Sequence, residues 1–370
     1  MSRGPVGIGV IGAGVISDQY LTNLTTFPDV AVRFVADIDL DRARAQAAKY
    51  GVAGSGSVDE LLADDSVEIV VNLTIPAAHA EVAHKALDAG KHVWNEKPLT
   101  TDRESATELL AHADRAGLRV ACAPDTVLGA GIQTALRAVR EGVIGTPLSA
   151  TTMLLSPGPE SWHPNPAFLF ARGGGPLLDM GPYYLTTLVS AFGSVASVAA
   201  TGSTAFPYRT IGSGPLAGTE FPVEVPTHVG ALLRFAEGGA SAQSTFSFQS
   251  ALARQGFVEI TGTDGVLVLP DPNRFDGDTV VWRRGSEEPE TLPAVGATAG
   301  RGLGVLDLAR AIRTGGTERA SGALAAHVLD VMLSIAEAAD TDRFVDVASR
   351  APQPDPLPAD WDPAASTDLG

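Results

Sequence analysis

The chain has 370 residues, 45% of them hydrophobic and 19% charged. That composition buries a core and excludes a disordered or fibrous chain, and the length favours two domains. The formal net charge of -17 opposes polyphosphate backbones and anionic membrane faces, so neither nucleic acid nor membrane is an expected partner.

The single cysteine, Cys122, cannot form an intrachain disulfide and reads as a small buried hydrophobe, so nothing demands an oxidising compartment. No apolar run is expected to span a bilayer. The apolar N-terminal run is broken by glycines and followed by Asp18 and Gln19, which suits a strand and turn better than a signal peptide. The expected location is the cytoplasm.

In chain order, residues 6–11 form a short apolar strand that enters a glycine turn. A helix over 15–27, a strand over 30–36 and a helix over 40–50 closed by Gly51 follow. Residues 57–60 read as a capping box. Residues 67–73 are a continuous apolar strand, as in a parallel sheet covered on both faces. A helix over 79–89 with Gly90 at its end precedes a strand over 91–95. A second capping box at 101–104 opens a helix with Leu109, Leu110 and Ala113 on one face, and a strand over 118–123 comes last. This alternation predicts a doubly wound parallel sheet.

After about residue 125 the pattern changes. A helix over 131–141 is ended by Gly142, and longer strands follow at 148–155, 195–201, 229–235, 241–248, 258–262 and 266–269. A helix over 182–191 interrupts them, and helices over 303–314 and 321–339 close the pattern. The expected fold class is α/β: an N-terminal dinucleotide-binding domain at 1–124, an α+β domain on a mostly antiparallel sheet at 125–350, and a loose Pro- and Asp-rich tail at 351–370.

The first chemical signal is Gly12-Ala13-Gly14-Val15-Ile16-Ser17. A dinucleotide pyrophosphate needs a tight turn after a strand, unobstructed backbone and a helix N-terminus aimed at its charge. Gly12 and Gly14 meet the first two needs and the helix from Val15 the third, with small Ser17 in place of the last glycine. Asp37 ends the second strand, roughly 20 residues on, where an acid accepts from the adenosine ribose hydroxyls and repels a 2′-phosphate. With Arg42 the nearest downstream arginine, NAD is favoured over NADP. Asp39 suits a helix cap better than Asp37 does.

Asn95-Glu96-Lys97-Pro98 lies at the C-terminal end of a parallel strand, where open α/β sheets bind ligands. A lysine there can bond a substrate hydroxyl, or it can be a solvated residue before a proline turn. Asp179 and Tyr183 are one helical turn apart and could bind a hydroxyl and relay its proton; equally, Asp179 could cap the helix and Tyr183 pack. Trp162 and His163, in a loop before the glycine run 173–175, suit stacking on a sugar ring or ordinary loop packing. The remaining histidines show no metal-ligand spacing, and no metal is expected.

Together these features resemble the Gfo/Idh/MocA oxidoreductases. The resemblance runs to about residue 348 and rests on residues 12–17, Asp37, Thr74-Ile75-Pro76 with His79, Glu96-Lys97-Pro98, residues 173–184 and the C-terminal stretch from Ala320 through His327 to Val347. It implies a Rossmann domain followed by a domain with a large open sheet that forms a dimer or tetramer interface. It implies that Lys97 is catalytic and that Asp179 orients substrate. Tyr183 stands where many members carry a histidine proton relay, as in the glucose–fructose oxidoreductase and dihydrodiol dehydrogenase groups. Ala13, Val15, Ile16 and Ile38 join the expected cofactor contacts, and Thr74, Pro76, His79 and Glu96 match positions near the cofactor. The expected reaction is hydride transfer between NAD and a secondary alcohol or ketone of a sugar or cyclitol-like polyol. The alternatives are an NADP-linked ketosugar or dihydrodiol reductase and a non-enzymatic dinucleotide sensor.

Overall fold

Six apolar segments pair in parallel: β1 (Val6–Ile11), β2 (Val30–Ala36), β3 (Gly54–Gly56), β4 (Ile69–Asn72), β5 (His92–Asn95) and β6 (Val120–Cys122). The structure, a computed structural model, describes residues 4–367; the outermost residues of the expected first domain and tail lie outside them. Every residue of β1, β4 and β6 is buried, as cover on both faces requires. The connecting helices are α1 (Val15–Leu24), α2 (Leu40–Tyr50), α3 (Val58–Leu62), α4 (His79–Asp88) and α5 (Arg103–Ala116). Leu21, Leu24 and Ile69 are wholly buried, and each such side chain contributes about 1.5–3 kcal/mol.

The strand order is β3-β2-β1-β4-β5-β6. The direction of winding reverses between β1 and β4, which makes the C-terminal ends of those strands the switch point of the sheet.

The caps follow the sequence with one shift. Asp39 accepts from the Asp41 and Arg42 amides, and Ser57 with Glu60 completes a capping box. The box expected at 101–104 does not form. Asp102 caps α5 instead, accepting from the Ser105 amide at 2.8 Å, because aspartate is the stronger cap than the threonine before it.

The next elements are α6 (Ala130–Arg140), β7 (Pro147–Leu155), α7 (Gly175–Phe192), β8 (Val195–Ser203), β9 (Tyr208–Thr210), β10 (Glu220–Pro222), β11 (His228–Phe235) and β12 (Ser241–Ser247). β13 (Arg254–Gly262), β14 (Gly265–Leu269), β15 (Thr279–Arg283), β16 (Glu290–Leu292), α8 (Leu303–Thr314), α9 (Gly322–Thr341) and β17 (Val345–Asp346) complete the chain. The larger sheet runs β16-β15-β14-β13-β7-β12-β11-β8-β17. It is antiparallel except where β7 and β12 pair in parallel. Along β11, Val229, Ala231, Leu233 and Phe235 are buried and the residues between them are not, the period of a sheet covered on one face. α7 packs against β7, β11 and β12.

The chain divides into two units differently from the expected domains. The first comprises Met1–Gln133, Val295–Ala326 and Pro354–Gly370, and the second Thr134–Ala294 and His327–Gln353. α8 returns to the first unit because the wholly buried Asp125 caps it: its carboxylate accepts from the amides of Gly302 at 2.7 Å and Gly304 at 3.3 Å and pairs with Arg301 at 3.2 Å. The expected loose tail is also tied to this unit. Arg310 donates to the carbonyls of Asp362 and Ala365 and pairs with buried Asp29 at 2.8 Å. Its guanidinium lies 4.7 Å from the Trp361 ring centre. α9 is long and apolar enough to cross a membrane by composition, contrary to the sequence expectation, yet most of it is buried within the protein.

Candidate active site

Gly12 has φ +103°, and a Cβ there would meet the Leu73 carbonyl oxygen at 2.7 Å. Backbone conformation and close approach therefore both demand glycine at the end of β1. Gly14 differs: φ is -78°, no side chain caps α1, and a Cβ would meet nothing within 4 Å. The start of α1 thus offers uncapped amides beside open space, and Val15 is exposed. That is the cradle a pyrophosphate needs, and the residues fit a dinucleotide. Ser17 is wholly buried and donates to the Gly14 carbonyl at 2.6 Å, so its small side chain suits the close packing of the turn.

Asp37, at the end of β2, accepts from the Ala13 amide at 2.7 Å and the Asp39 amide at 2.9 Å. It therefore fixes the glycine turn as well as facing the strand edge. Burial alone would raise its carboxyl, but these amides and Arg42 offset it and hold the group below the usual carboxylate value. Ile38 beside it is 94% exposed, an apolar surface free to face an adenine.

The loops after β4 and β5 are tied by a buried polar network. Asn72 and Asn95 are register partners at the two strand ends, both with no exposure. The Asn72 amide donates to Asn95 Oδ1 at 3.0 Å, the Asn95 amide donates to the Leu99 carbonyl at 3.1 Å, and the Thr74 hydroxyl donates to Asn72 Oδ1 at 2.7 Å. Thr74 is half-buried and Pro76 exposed at this edge. Glu96 and Lys97 follow on the neighbouring strand end, and the Lys97 amide donates to Glu96 Oε2 at 2.9 Å.

His79 is a correction. It is wholly buried, with Nδ1 2.7 Å from the Pro98 carbonyl and Nε2 3.1 Å from the Thr74 carbonyl. Both ring nitrogens are engaged behind the loops, so it positions them and is not itself a cofactor contact. Burial keeps its imidazole below the ordinary value against the pull of the two carbonyls.

The second unit carries the remaining candidates. α7 begins at Gly175 with Gly174 before it, so Asp179 lies inside the helix and does not cap it. Asp179 is half-buried and Tyr183 is 7% exposed. Trp162 is 68% exposed, with the His163 ring centre 5.6 Å away. The loop that carries them is anchored by Arg209, which donates to the Pro157 and Phe248 carbonyls and pairs with Glu160. Its guanidinium lies 5.4 Å from the Phe170 ring centre and 5.5 Å from that of Phe206.

Sequence reading missed Tyr20, Asn72 and Arg209, and it quoted Asn95 before Glu96-Lys97 without giving it a role. An asparagine closing each of two buried apolar strands is a signal that could have found the pair. Among the described residues no group of His, Cys, Asp and Glu is assembled to hold a metal ion.

Comparison with known proteins matches this geometry. The profile described as "oxidoreductase family, NAD-binding Rossmann fold" matches residues 6–123, and the Gfo/Idh/MocA C-terminal domain matches residues 132–268. An uncharacterised oxidoreductase of Rhizobium meliloti is 38% identical over 31% of this chain and 35% of its own length, so that match spans about a third of the relative. The 1,5-anhydro-D-fructose reductase of Ensifer adhaerens is 28% identical over 70% of this chain and 74% of its own. The trans-1,2-dihydrobenzene-1,2-diol dehydrogenase of Bos taurus is 28% identical over 76% and 79%. The crystal structure of an NAD binding oxidoreductase from Klebsiella pneumoniae superposes with a TM-score of 0.81 at 25% identity, over 93% of this chain and 99% of that one. A glycine turn at the switch point of a parallel sheet, with both family domains in sequence, makes the chain a member of the Gfo/Idh/MocA family and an NAD(P)-dependent oxidoreductase.

Proposed function

We propose that the enzyme transfers a hydride between NAD and a secondary alcohol or ketone of a sugar or related polyol. The observation that carries this is the placement of Glu96-Lys97 at the C-terminal end of β5, on the same sheet edge as the Gly12 turn. The relatives named for a sugar reductase and a dihydrodiol dehydrogenase support a vicinal oxygenated substrate. A bound nicotinamide supplies the hydride acceptor or donor. In this reading the Lys97 ammonium bonds the reacting oxygen and steadies its developing negative charge. Asp179 orients the substrate through a neighbouring hydroxyl, and the Tyr183 phenol takes or returns the hydroxyl proton. Trp162 and His163 offer a stacking surface for the ring. NAD is the preferred cofactor because the Asp37 carboxylate suits ribose hydroxyls.

The test is nicotinamide reduction with NAD across a panel of pyranoses, inositols and glycosides, with Lys97→Met and Tyr183→Phe beside the wild type. Loss of turnover by both variants, with NAD still bound, supports the roles. Full turnover by both would overturn them.

A second copy of the chain is the proposed partner. Leu232, Gln243, Thr151, Glu259, Val268 and Val280 lie in register across the face of the larger sheet opposite α7. Leu232 is 49% exposed, and Trp282, on the same face, is 42% exposed. A mixed apolar and polar surface of this kind suits an isologous dimer. Light scattering of the wild type and Leu232→Glu checks it: a monomeric wild type ends the idea.

A further inference from the structure

Trp162, His163 and Phe168 form one run of edge-to-face rings in the second unit. The Trp162 and His163 ring centres lie 5.6 Å apart at 66°, and those of His163 and Phe168 5.5 Å apart at 67°. Trp162 is 68% and Phe168 57% exposed, so two large apolar rings face solvent where core packing would bury them. The loop beneath them is held by its backbone. The Trp162 and His163 amides both donate to the Pro159 carbonyl, at 3.2 Å and 2.8 Å, and the Gly212 amide donates to the Glu160 carbonyl at 2.8 Å. A Cβ on Gly214 would meet Pro164 Cβ at 2.6 Å, so the segment between β9 and β10 lies against the loop. Glu160, the one acid of residues 156–172, is paired with Arg209. The one arginine, Arg172, is exposed by itself, a poor anion site, so the face suits an uncharged ligand.

His163 adds a directed polar group between the two rings. Its Nδ1 accepts from the Asn165 amide at 3.1 Å, so the neutral imidazole carries its proton on Nε2. Among the described residues Nε2 has no partner. Aromatic rings meet the C–H faces of a pyranose, and a fixed N–H between them meets a hydroxyl or an ether oxygen. A purely aromatic group would stack on the same rings but cover this N–H without an acceptor, at a cost in binding. The rings also stand off from the proposed reacting centre. The turn Ala167–Leu169 packs against the entry of α7, where a Cβ on Gly174 would meet the Phe168 carbonyl oxygen at 2.7 Å. Asp179 lies about 7.5 Å further along the helix, the span of one sugar residue.

We propose that Trp162, His163 and Phe168 bind a second pyranose, joined through a glycosidic oxygen to the ring that Asp179 and Tyr183 engage, so that the substrate is a disaccharide or longer glycoside. The proposal rests on the reading of Asp179 and Tyr183 as substrate residues, and it moves the stacking surface from the reacting ring to its neighbour. The second ring takes no part in the hydride or proton steps and supplies binding alone. A surface that serves the reacting ring itself is the competing account.

The experiment is steady-state kinetics of the whole enzyme with NAD on cellobiose, maltose, lactose and trehalose. Each is set against the methyl glycoside of its non-reducing ring in the same anomeric form, and phenyl β-D-glucopyranoside is added. Wild type, Trp162→Ala, Phe168→Ala and His163→Phe are compared. In the wild type at least one disaccharide is expected to exceed its methyl glycoside in kcat/KM by about tenfold or more, mainly through KM. Trp162→Ala and Phe168→Ala should each lower that ratio by about tenfold, and a ratio does not depend on how much of a variant is folded. His163→Phe keeps a ring and loses the donor, so it should lower the disaccharide's advantage over the phenyl glycoside. Equal losses on disaccharide and methyl glycoside return the surface to the reacting ring and overturn the proposal. A wild type that prefers no disaccharide, or prefers the phenyl glycoside to all four, overturns it as well. Calorimetric titration of the NADH complex with the same disaccharides separates this site from the hydride-transfer reading. Disaccharide binding that Trp162→Ala weakens, without turnover of any sugar, removes that reading and supports the second-ring site. No binding of any of the four overturns the second-ring site, whatever the turnover on single rings.

Discussion

The Tyr20 hydroxyl donates to Glu96 Oε1 at 2.8 Å and accepts from the Trp94 indole at 3.1 Å. A residue in α1, directly after the cofactor turn, thereby fixes the carboxylate next to Lys97. Tyr20 is wholly buried, and burial, with Glu96 and Asp125 nearby, pushes its phenol well above the ordinary value. It is a fixed donor at every working pH. The other Glu96 oxygen accepts the Lys97 amide, so the chain of bonds runs from α1 to the backbone of the proposed catalytic residue.

Tyr20→Phe removes this donor and leaves the indole N–H without its acceptor. The buried indole N–H then lacks an acceptor, which costs about 1–3 kcal/mol, and the half-buried Glu96 carboxylate loses one donor. The variant is expected to unfold at lower denaturant concentration and to lose turnover more than cofactor affinity. Urea titration and steady-state kinetics check it. Wild-type kcat with reduced stability would leave Tyr20 a packing residue and nothing more.

Acid should destabilise the protein through two histidines. His92 Nδ1 accepts from the Arg119 amide at 2.9 Å, and His327 Nε2 accepts from the Val195 amide at 2.9 Å. An acceptor nitrogen cannot carry a proton toward an N–H. Burial first, and then nearby arginine charge, lowers both imidazoles from 6.5 to about 4. Between those values the unfolded chain binds protons that the folded chain refuses, so stability falls as the pH drops through this window and rises as it climbs. Thermal melts from pH 7 to pH 4 should show the loss. A His327→Gln variant should show a shallower slope, and an identical slope would place the acid sensitivity elsewhere.

Most of the first unit was legible in the sequence because each parallel strand is a short apolar run bounded by a cap or a glycine. The turn at Gly12, the caps at Asp39 and Ser57 and the lysine after β5 are all local signals. What was illegible is non-local. Glu96 and Tyr20 are 76 positions apart, and nothing in either neighbourhood marks the bond. The return of α8 and of the tail to the first unit depends on the charges of Asp125 and Asp29, which look solvated in the sequence and are buried in the fold. Edge strands such as β9, β10 and β16 are three residues long, too short to show a period. Aspartate outranking threonine moved one cap by a residue, and Gly175 began α7 early enough to put Asp179 inside it.

The tail contact predicts a large effect from a single residue. Arg310→Ala takes the counter-charge from the buried Asp29 carboxylate, leaving it only the neutral donors of Ser366 and Thr367, and frees two tail carbonyls. Removing one member of a buried ion pair costs about 3–5 kcal/mol. The expected outcome is a lower unfolding midpoint together with proteolytic cleavage after about residue 350. Trp361→Ala should open the tail to protease with a smaller stability loss. Protease resistance in both variants would mean that other contacts hold the tail.

The two turn glycines separate folding from binding. Gly12→Ala forces a side chain into positive φ and against the Leu73 carbonyl. The conformation alone costs about 1–2 kcal/mol, and the contact adds to it, so this variant should be visibly destabilised before any cofactor is added. Gly14 has a φ that alanine adopts, and its Cβ would enter open space. Gly14→Ala should therefore unfold within about 1 kcal/mol of wild type. Its methyl group would occupy the approach of the pyrophosphate to the α1 amides, so NADH affinity should fall by about tenfold or more. Fluorescence titration and thermal melts, run on both variants, give four values to compare. Gly14→Ala binding NADH as tightly as wild type would show that the cofactor does not pass over this turn, whatever Gly12→Ala does to the fold.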